Sequence, residues 1–189
     1  MKCDIVLAGV GGQGILTIAA ILGKVAVAEK IHVKQSEIHG MSQCGGSVFA
    51  HLRLSSEPIF ADQITDGTAD LIVAMEPMEA MRYRASLSAT GTLITDKTPL
   101  VNIPDYPELE GLLDEIKALP HSLLLDTAEL AKESGNTRNT NIVLLGAISN
   151  FIGLEPSIIE KAIAAQFASK GENVVAAAVK AFQLGRDAK

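Results

Sequence analysis

Gly9, Gly11 and Gly14, with Gly12 and Gln13 among them, follow a short apolar run and precede a segment of helical spacing. This is G-x-G-x-x-G at the point where a strand gives way to a helix. Glycine lets the backbone approach a ligand with no Cβ in the way, and the free N–H groups of a helix's first turn attract an anion. A phosphate, pyrophosphate or carboxylate would suit such a turn. The same pattern also serves as a tight turn that binds nothing. A dinucleotide site adds an acidic residue at the end of the second strand to hold ribose hydroxyls, and Glu37 stands near that place. One reading is therefore a stand-alone NAD(P)-binding, Rossmann-type oxidoreductase.

The polar loop that begins beside Glu37 goes beyond ordinary Rossmann geometry. Ser36-Glu37-Ile38-His39-Gly40-Met41-Ser42-Gln43-Cys44-Gly45-Gly46-Ser47 gathers glycines, hydroxyls, an amide and an imidazole in one stretch. Gly45 and Gly46 permit close backbone approach, while Ser42, Gln43 and Ser47 offer neutral hydrogen bonds. His39, preceding Gly40, titrates near neutral pH and is the one candidate for acid–base work. An irregular loop that satisfies its own backbone, with His39 as a capping or interface residue, fits the same residues.

Weaker candidates lie elsewhere. His51 and Arg53 alternate onto one face of a strand, toward a polar crevice, a partner or plain solvent. Glu76 and Glu79 stand in the first turn of a helix, where the helix dipole favours carboxylates, so capping explains them. Gly135-Asn136-Thr137-Arg138-Asn139-Thr140-Asn141 places Arg138, Asn139 and Asn141 ahead of an apolar helix; it is a helix-start loop or a binding loop for an anion or a carbonyl. Cys3 and Cys44 are far apart and suit neither a disulfide framework nor a zinc or iron–sulfur site, so no metal is expected here. G-x-x-x-x-G-K-[ST], H-E-x-x-H and G-x-S-x-G are all absent, which argues against the corresponding hydrolases.

The elements that must position these residues alternate. Strands are expected at Asp4–Ala8, His32–Ser36, Ser47–Leu54, Asp70–Ala74, Thr92–Thr95 and Ser122–Leu125. Helices are expected at Ile15–Glu29, from Glu76-Pro77 through Arg84, at Pro107–Leu119 and after an Asp126-Thr127 cap. This implies an α/β, doubly wound, mostly parallel sheet with helices on both faces. Asn141–Ile152, a segment starting at Glu155-Pro156 and Asn173–Arg186 form a C-terminal helical cap. The 189 residues read as a single domain, 1–189. The glycine turn and the Gly45-Gly46 loop are expected at the carboxyl ends of adjacent strands, the usual ligand edge of such a sheet.

Bulk composition narrows the function. The chain is 48% hydrophobic, yet Asp, Gly, Pro or Lys breaks every apolar block before the roughly 18–20 residues that span a bilayer. Met1-Lys2-Cys3-Asp4 runs straight into a strand without a targeting pattern, and a cytoplasmic protein is expected. Sixteen basic against 22 acidic residues give a net charge of −6, with 4% aromatic residues and no Trp. That balance disfavours nucleic acid and anionic membranes as partners. The excess of Ala, Ile, Leu and Val suits buried strands and a surface packed on another subunit.

Together, Gly9-Val10-Gly11-Gly12-Gln13-Gly14, the Ser36–Ser47 loop with His51 and Arg53, and the Asn139–Gly146 region resemble the small, gamma-type subunit of 2-oxoacid:ferredoxin oxidoreductases, most of all the indolepyruvate branch. The likeness covers nearly the whole length. The family's loop usually reads H-G-M-[SA]-Q-R-G-G, and Cys44 stands in place of its Arg. The resemblance implies an enzyme of anaerobic metabolism that oxidatively decarboxylates an arylpyruvate to an acyl-CoA and passes electrons to ferredoxin. It implies a larger partner subunit carrying thiamine diphosphate, magnesium and iron–sulfur clusters, with coenzyme A as co-substrate, and an isolated small chain that is inactive. Asp66-Gly67 lacks the leading Gly of the Gly-Asp-Gly context that thiamine diphosphate needs. On this reading Gly9–Gly14 and Gly45-Gly46 shape the partner's active site without reacting; the other alternative is a purely structural assembly subunit.

Overall fold

The computed structural model describes residues 1–39 and 45–188, with His39 described by its backbone alone. It contains β1 (Lys2–Val10), β2 (His32–His39), β3 (Ser47–Ser55), β4 (Ala69–Ala74), β5 (Leu87–Asp96) and β6 (Ser122–Leu125), joined in one sheet of order β2-β3-β1-β4-β5-β6. From Cys3 onward every residue of β1 is buried, the pattern of a strand covered on both faces. β1 pairs in parallel with β4, β4 with β5 and β5 with β6. β3 runs antiparallel to both β1 and β2. Five strands therefore point the same way and β3 alone is reversed, so the mostly parallel expectation holds.

The reversed strand corrects one expectation. The glycine turn and the loop after β2 are not on adjacent strands, because β3 lies between β1 and β2. The end of β1 meets the start of β3 instead, Val10 opposite Ser47. The loop's far end thus lies beside the turn.

Helices follow in order: α1 (Ile15–Ala28), α2 (Pro77–Arg82), α3 (Leu109–Lys117), α4 (Thr127–Glu133), α5 (Thr140–Ile148), α6 (Pro156–Phe167) and α7 (Glu172–Asp187). Strand alternation divides the core between them. Ile5 and Leu7, Ala50 and Leu52, Leu71 and Val73 pack with α1 and α4–α7. Val6 and Ala8, Ile72 and Leu93 pack with Met78 and Ala80 of α2 and Leu112 and Ile116 of α3. Along β3 burial alternates strictly, Val48, Ala50, Leu52 and Leu54 inward, as expected where one face is packed against helices.

Side-chain caps set the helix starts. Glu76 accepts from the Glu79 amide at 2.8 Å with Pro77 in the first turn, and Asp126 accepts from the Glu129 amide at 3.0 Å. Glu108 caps α3 at the Gly111 amide, 2.7 Å away, so that helix begins at Leu109 and not at Pro107. β2 continues beyond Ser36 to His39, and β5 begins at Leu87, because both find strand partners there. The C-terminal helices lock through close backbone contact: a Cβ on Gly185 would lie 1.9 Å from the Val143 carbonyl oxygen, and one on Gly146 2.1 Å from that of Phe182. Only glycine lets α5 and α7 approach this closely.

Candidate functional site

The glycine turn is braced from inside by Gln13. Its Oε1 accepts from the Val10 amide at 2.7 Å, and its Nε2 donates to the Met75 carbonyl at 3.2 Å, tying the end of β1 to the end of β4. The amide that the sequence offers to a ligand is thus engaged in the fold. Gly9 packs under it, where a Cβ would stand 3.0 Å from Gln13 Oε1 and 3.3 Å from Met75 Cβ. Gly14 has φ +82°, and a Cβ there would fall 2.7 Å from Asn141 Nδ2, which donates to the Gly14 carbonyl at 3.1 Å. Gly12, at φ +103°, faces open space. Val10, Gly11, Gly12, Gly14, Ile15 and Val48 line a cleft of about 320 Å³, apolar on its walls and backbone-polar at its rim.

The second loop is stitched to the first. The Gly11 amide donates to the Gly46 carbonyl at 2.8 Å, and Asn102 Nδ2 donates to the Gly45 carbonyl at 2.8 Å. Ser47 donates to Glu79 Oε2 at 2.5 Å, its hydroxyl also lies 3.3 Å from the Tyr83 hydroxyl, and Arg82 Nε reaches Glu79 at 3.2 Å. Glu76 caps α2 as its position suggests and also accepts from the Tyr106 hydroxyl. Glu79 does more than compensate a dipole: it is fully buried and holds Ser47. Burial pushes the Tyr83 and Tyr106 phenols upward, and the neighbouring Glu76 adds to the shift at Tyr106.

The remaining candidates separate. Gly40, Ser42, Gln43 and Cys44 lie outside the described residues. His39 ends β2 opposite Val48, and Glu37 is exposed opposite Ala50. β2 is two strands from β1, about 9–10 Å in the sheet plane, so Glu37 is not beside the glycine turn as ribose recognition requires. Arg53 clamps the buried Asp4 with bonds of 2.7 and 2.9 Å and reaches the carbonyls of Ala61 and Gln63. Burial alone would raise the Asp4 pKa, but hydrogen bonds from Arg53 and Lys2 hold it below the usual carboxylate range. His51 accepts from the Ile64 amide through Nδ1 at 3.0 Å. Burial, then the Arg53 charge, pushes its pKa down. Both side chains anchor the loop after β3; neither joins the glycine turn.

Asn141 joins the turn directly, and Arg138 and Asn139 line an adjoining cavity. Asn102, Tyr106 and Lys170 were not distinguishable by motif. Asn102 and Tyr106 lie in a proline-bearing segment without periodicity, and Lys170 is one of many surface lysines until the fold brings it beside Arg138. Among the described residues no group of three or more His, Cys, Asp or Glu could hold a metal ion. The residues also do not fit an iron–sulfur cluster, which needs several accessible thiolates. Cys3 is 3% exposed in β1, and burial, reinforced by the Asp70 and Asp4 charges, pushes its thiol up to about 12. No helix among the described residues is long and apolar enough to cross a membrane.

Comparisons with known proteins bear on the family and the overall fold. A family model described as pyruvate ferredoxin/flavodoxin oxidoreductase matches residues 4–188. Indolepyruvate oxidoreductase subunit IorB of Pyrococcus horikoshii is 36% identical over 196 residues, spanning 96% of this chain and 93% of its own. Among solved structures, pyruvate oxidoreductase subunit PORC of Thermotoga maritima superposes with TM-score 0.77 at 19% identity, covering 99% of this chain and 96% of that one. The 2-oxoglutarate:ferredoxin oxidoreductase of Magnetococcus marinus, with 2-oxoglutarate, coenzyme A and succinyl-CoA bound, gives TM-score 0.77 at 20% identity; the match covers 98% of this chain but 30% of that larger one.

Proposed function

The chain belongs to the pyruvate ferredoxin/flavodoxin oxidoreductase family, and from that premise we propose that it is the small subunit of a heteromeric, cytoplasmic 2-oxoacid:ferredoxin oxidoreductase acting on an arylpyruvate such as indolepyruvate. The assembled enzyme oxidatively decarboxylates the oxoacid to an acyl-CoA and passes the electrons to ferredoxin. Thiamine diphosphate, magnesium and iron–sulfur clusters belong to the larger partner, where cofactors carry the hard chemistry. This chain binds, orients and excludes water. The names of its relatives at 36% identity support the indolepyruvate assignment.

The observation that carries the reading is the 2.8 Å bond from the Gly11 amide to the Gly46 carbonyl. It joins the glycine turn to the end of the Ser36–Ser47 loop in one wall, pinned by Asn102, Asn141 and the Ser47–Glu79 pair. Preorganised backbone groups on a stiff wall position a ligand without reorganising during the reaction. Gly12 supplies the open approach. The NAD(P) reading loses support because Glu37 stands two strands away from the turn.

The test is reconstitution with the larger subunit, followed by steady-state kinetics of Gly12→Val and Gln43→Ala. The KM for coenzyme A or oxoacid should rise about tenfold, the equivalent of about 1.4 kcal/mol of lost contact, while the subunits still copurify. Wild-type kinetics in both variants would refute the wall, and failure of the wild-type chain to copurify with such a partner would refute the subunit assignment.

A further inference from the structure

A second cavity lies where α1, α5 and the start of α7 meet. It measures about 410 Å³ and is lined by Thr17, Asn136, Arg138, Asn139, Asn141 and Lys170 among others. It shares no lining residue with the glycine-turn cleft. Its charged lining is entirely cationic. Arg138 and Lys170 bring two cations to one opening, with no carboxylate among the lining residues and no ion pair to either among the described residues. In a chain of net charge −6, such a local excess runs against the overall field.

The start of α5 adds a third source of positive potential. This nine-residue helix has no acidic residue in its first turn, and its N-cap, Asn139, makes no side-chain capping bond. The positive end of the helix dipole is therefore left without local compensation. Independently, Asn139 is only 4% exposed and its Nδ2 has no acceptor. Buried donors are nearly always paired, and Asn139, whose Nδ2 lacks a partner, is one of the residues that line this cavity, so a ligand acceptor there would complete the missing bond. The loop is held ready by the Asn136 side chain, which accepts from the Arg138 amide at 3.1 Å.

We propose that this cavity is a phosphate-binding site, with Arg138 and Lys170 as the charged contacts and Asn139 Nδ2 and the first turn of α5 as neutral donors. A tetrahedral anion with several oxygens satisfies donors converging from three elements; a planar carboxylate, with two oxygens, leaves some unpaired. The site itself stands without the redox reading, and only coenzyme A as the source of the phosphate rests on it.

The test is calorimetric titration of the full chain with inorganic phosphate, coenzyme A and dephospho-coenzyme A. Inorganic phosphate should bind, and the surface double variant Arg138→Gln/Lys170→Gln should weaken it about tenfold or more. Asn139→Asp, which replaces the buried donor by an acceptor of nearly the same shape, should abolish it while circular dichroism stays native. Weakening of coenzyme A but not of its dephospho form supports the site and identifies the phosphate monoester. Equal weakening of both supports it and identifies the pyrophosphate, and an effect on inorganic phosphate alone supports free phosphate as ligand. No phosphate binding by the wild type, or wild-type affinity in both variants, overturns the proposal.

Discussion

Gly14→Ala tests whether the glycine turn is an architectural element or only a ligand surface. At φ +82°, an L side chain costs about 1–2 kcal/mol in left-handed backbone. The new Cβ would also sit 2.7 Å from Asn141 Nδ2, displacing the amide from the Gly14 carbonyl and forfeiting about 0.5–1.5 kcal/mol of hydrogen bond. The expected loss is about 1.5–3.5 kcal/mol, or about 3–14 °C in Tm for a chain of this size. Gly12→Ala also lies at positive φ but meets no atom within 4 Å, so it should lose only the backbone part. Urea denaturation of Gly14→Ala, Asn141→Ala and the double variant isolates the clash: removing Asn141 should recover about 1 kcal/mol of the Gly14→Ala loss, a coupling within the range for contacting residues. Equal destabilisation by Gly12→Ala and Gly14→Ala, or strict additivity with Asn141→Ala, would refute the reasoning.

Two further outcomes follow from the packing. His51 is held neutral by burial and by Arg53, against the opposing charges of Asp62, Asp66 and Asp4, so its folded pKa lies below the unfolded value of about 6.5. The stability it contributes is complete above that value and declines as pH falls toward the folded pKa, where a protonated Nδ1 can no longer accept from the Ile64 amide. Melting curves from pH 7 to pH 5 should show His51→Gln with a flatter dependence than wild type, the difference approaching the roughly 1 kcal/mol of one hydrogen bond; identical slopes would exclude the assignment. Gly185→Ala should destabilise by about 3 kcal/mol or more, at or beyond the upper end for overpacking, because its methyl would collide with the Val143 carbonyl, which cannot rotate away as a side chain could. A loss below 1 kcal/mol in urea would mean that α5 and α7 are not locked there.

Much of this architecture is written in local pattern. The apolar run ending at Gly9, the alternation of β3 and the caps Glu76 and Asp126 each follow from short-range rules, and each takes the expected place. The reversal of β3 does not, because strand order depends on which edge each strand joins, and the Ser47–Leu54 alternation is the same in either direction. The roles of Arg53 and Glu79 were equally hidden. Asp4 and Ser47 are far from them in sequence, and only the register Asp4 opposite Arg53 and the docking of α2 beside Ser47 convert an apparent edge arginine and an apparent dipole carboxylate into anchors. The likeness across Gly9–Gly14, Ser36–Ser47 and Asn139–Gly146 was legible as residue types in sequence, and the Gly11–Gly46 and Asn141–Gly14 bonds tie described residues of these stretches together.

That convergence divides the glycine motif by function. Gly9 yields space to Gln13 and Met75, and Gly14 yields space to Asn141, so both serve the fold. Gln13, which in the sequence looks free to greet a ligand, spends its amide on Val10 and Met75. Gly12 alone of the three faces open space with positive φ, and it lies at the rim of the apolar cleft. Substitutions at Gly9 and Gly14 should therefore act first on stability and subunit yield, whereas a side chain at Gly12 projects into the space a ligand or partner loop would occupy. A mutational scan that scored only activity would merge the two effects; scoring stability beside KM separates the glycines that build the wall from the one that gives access to it.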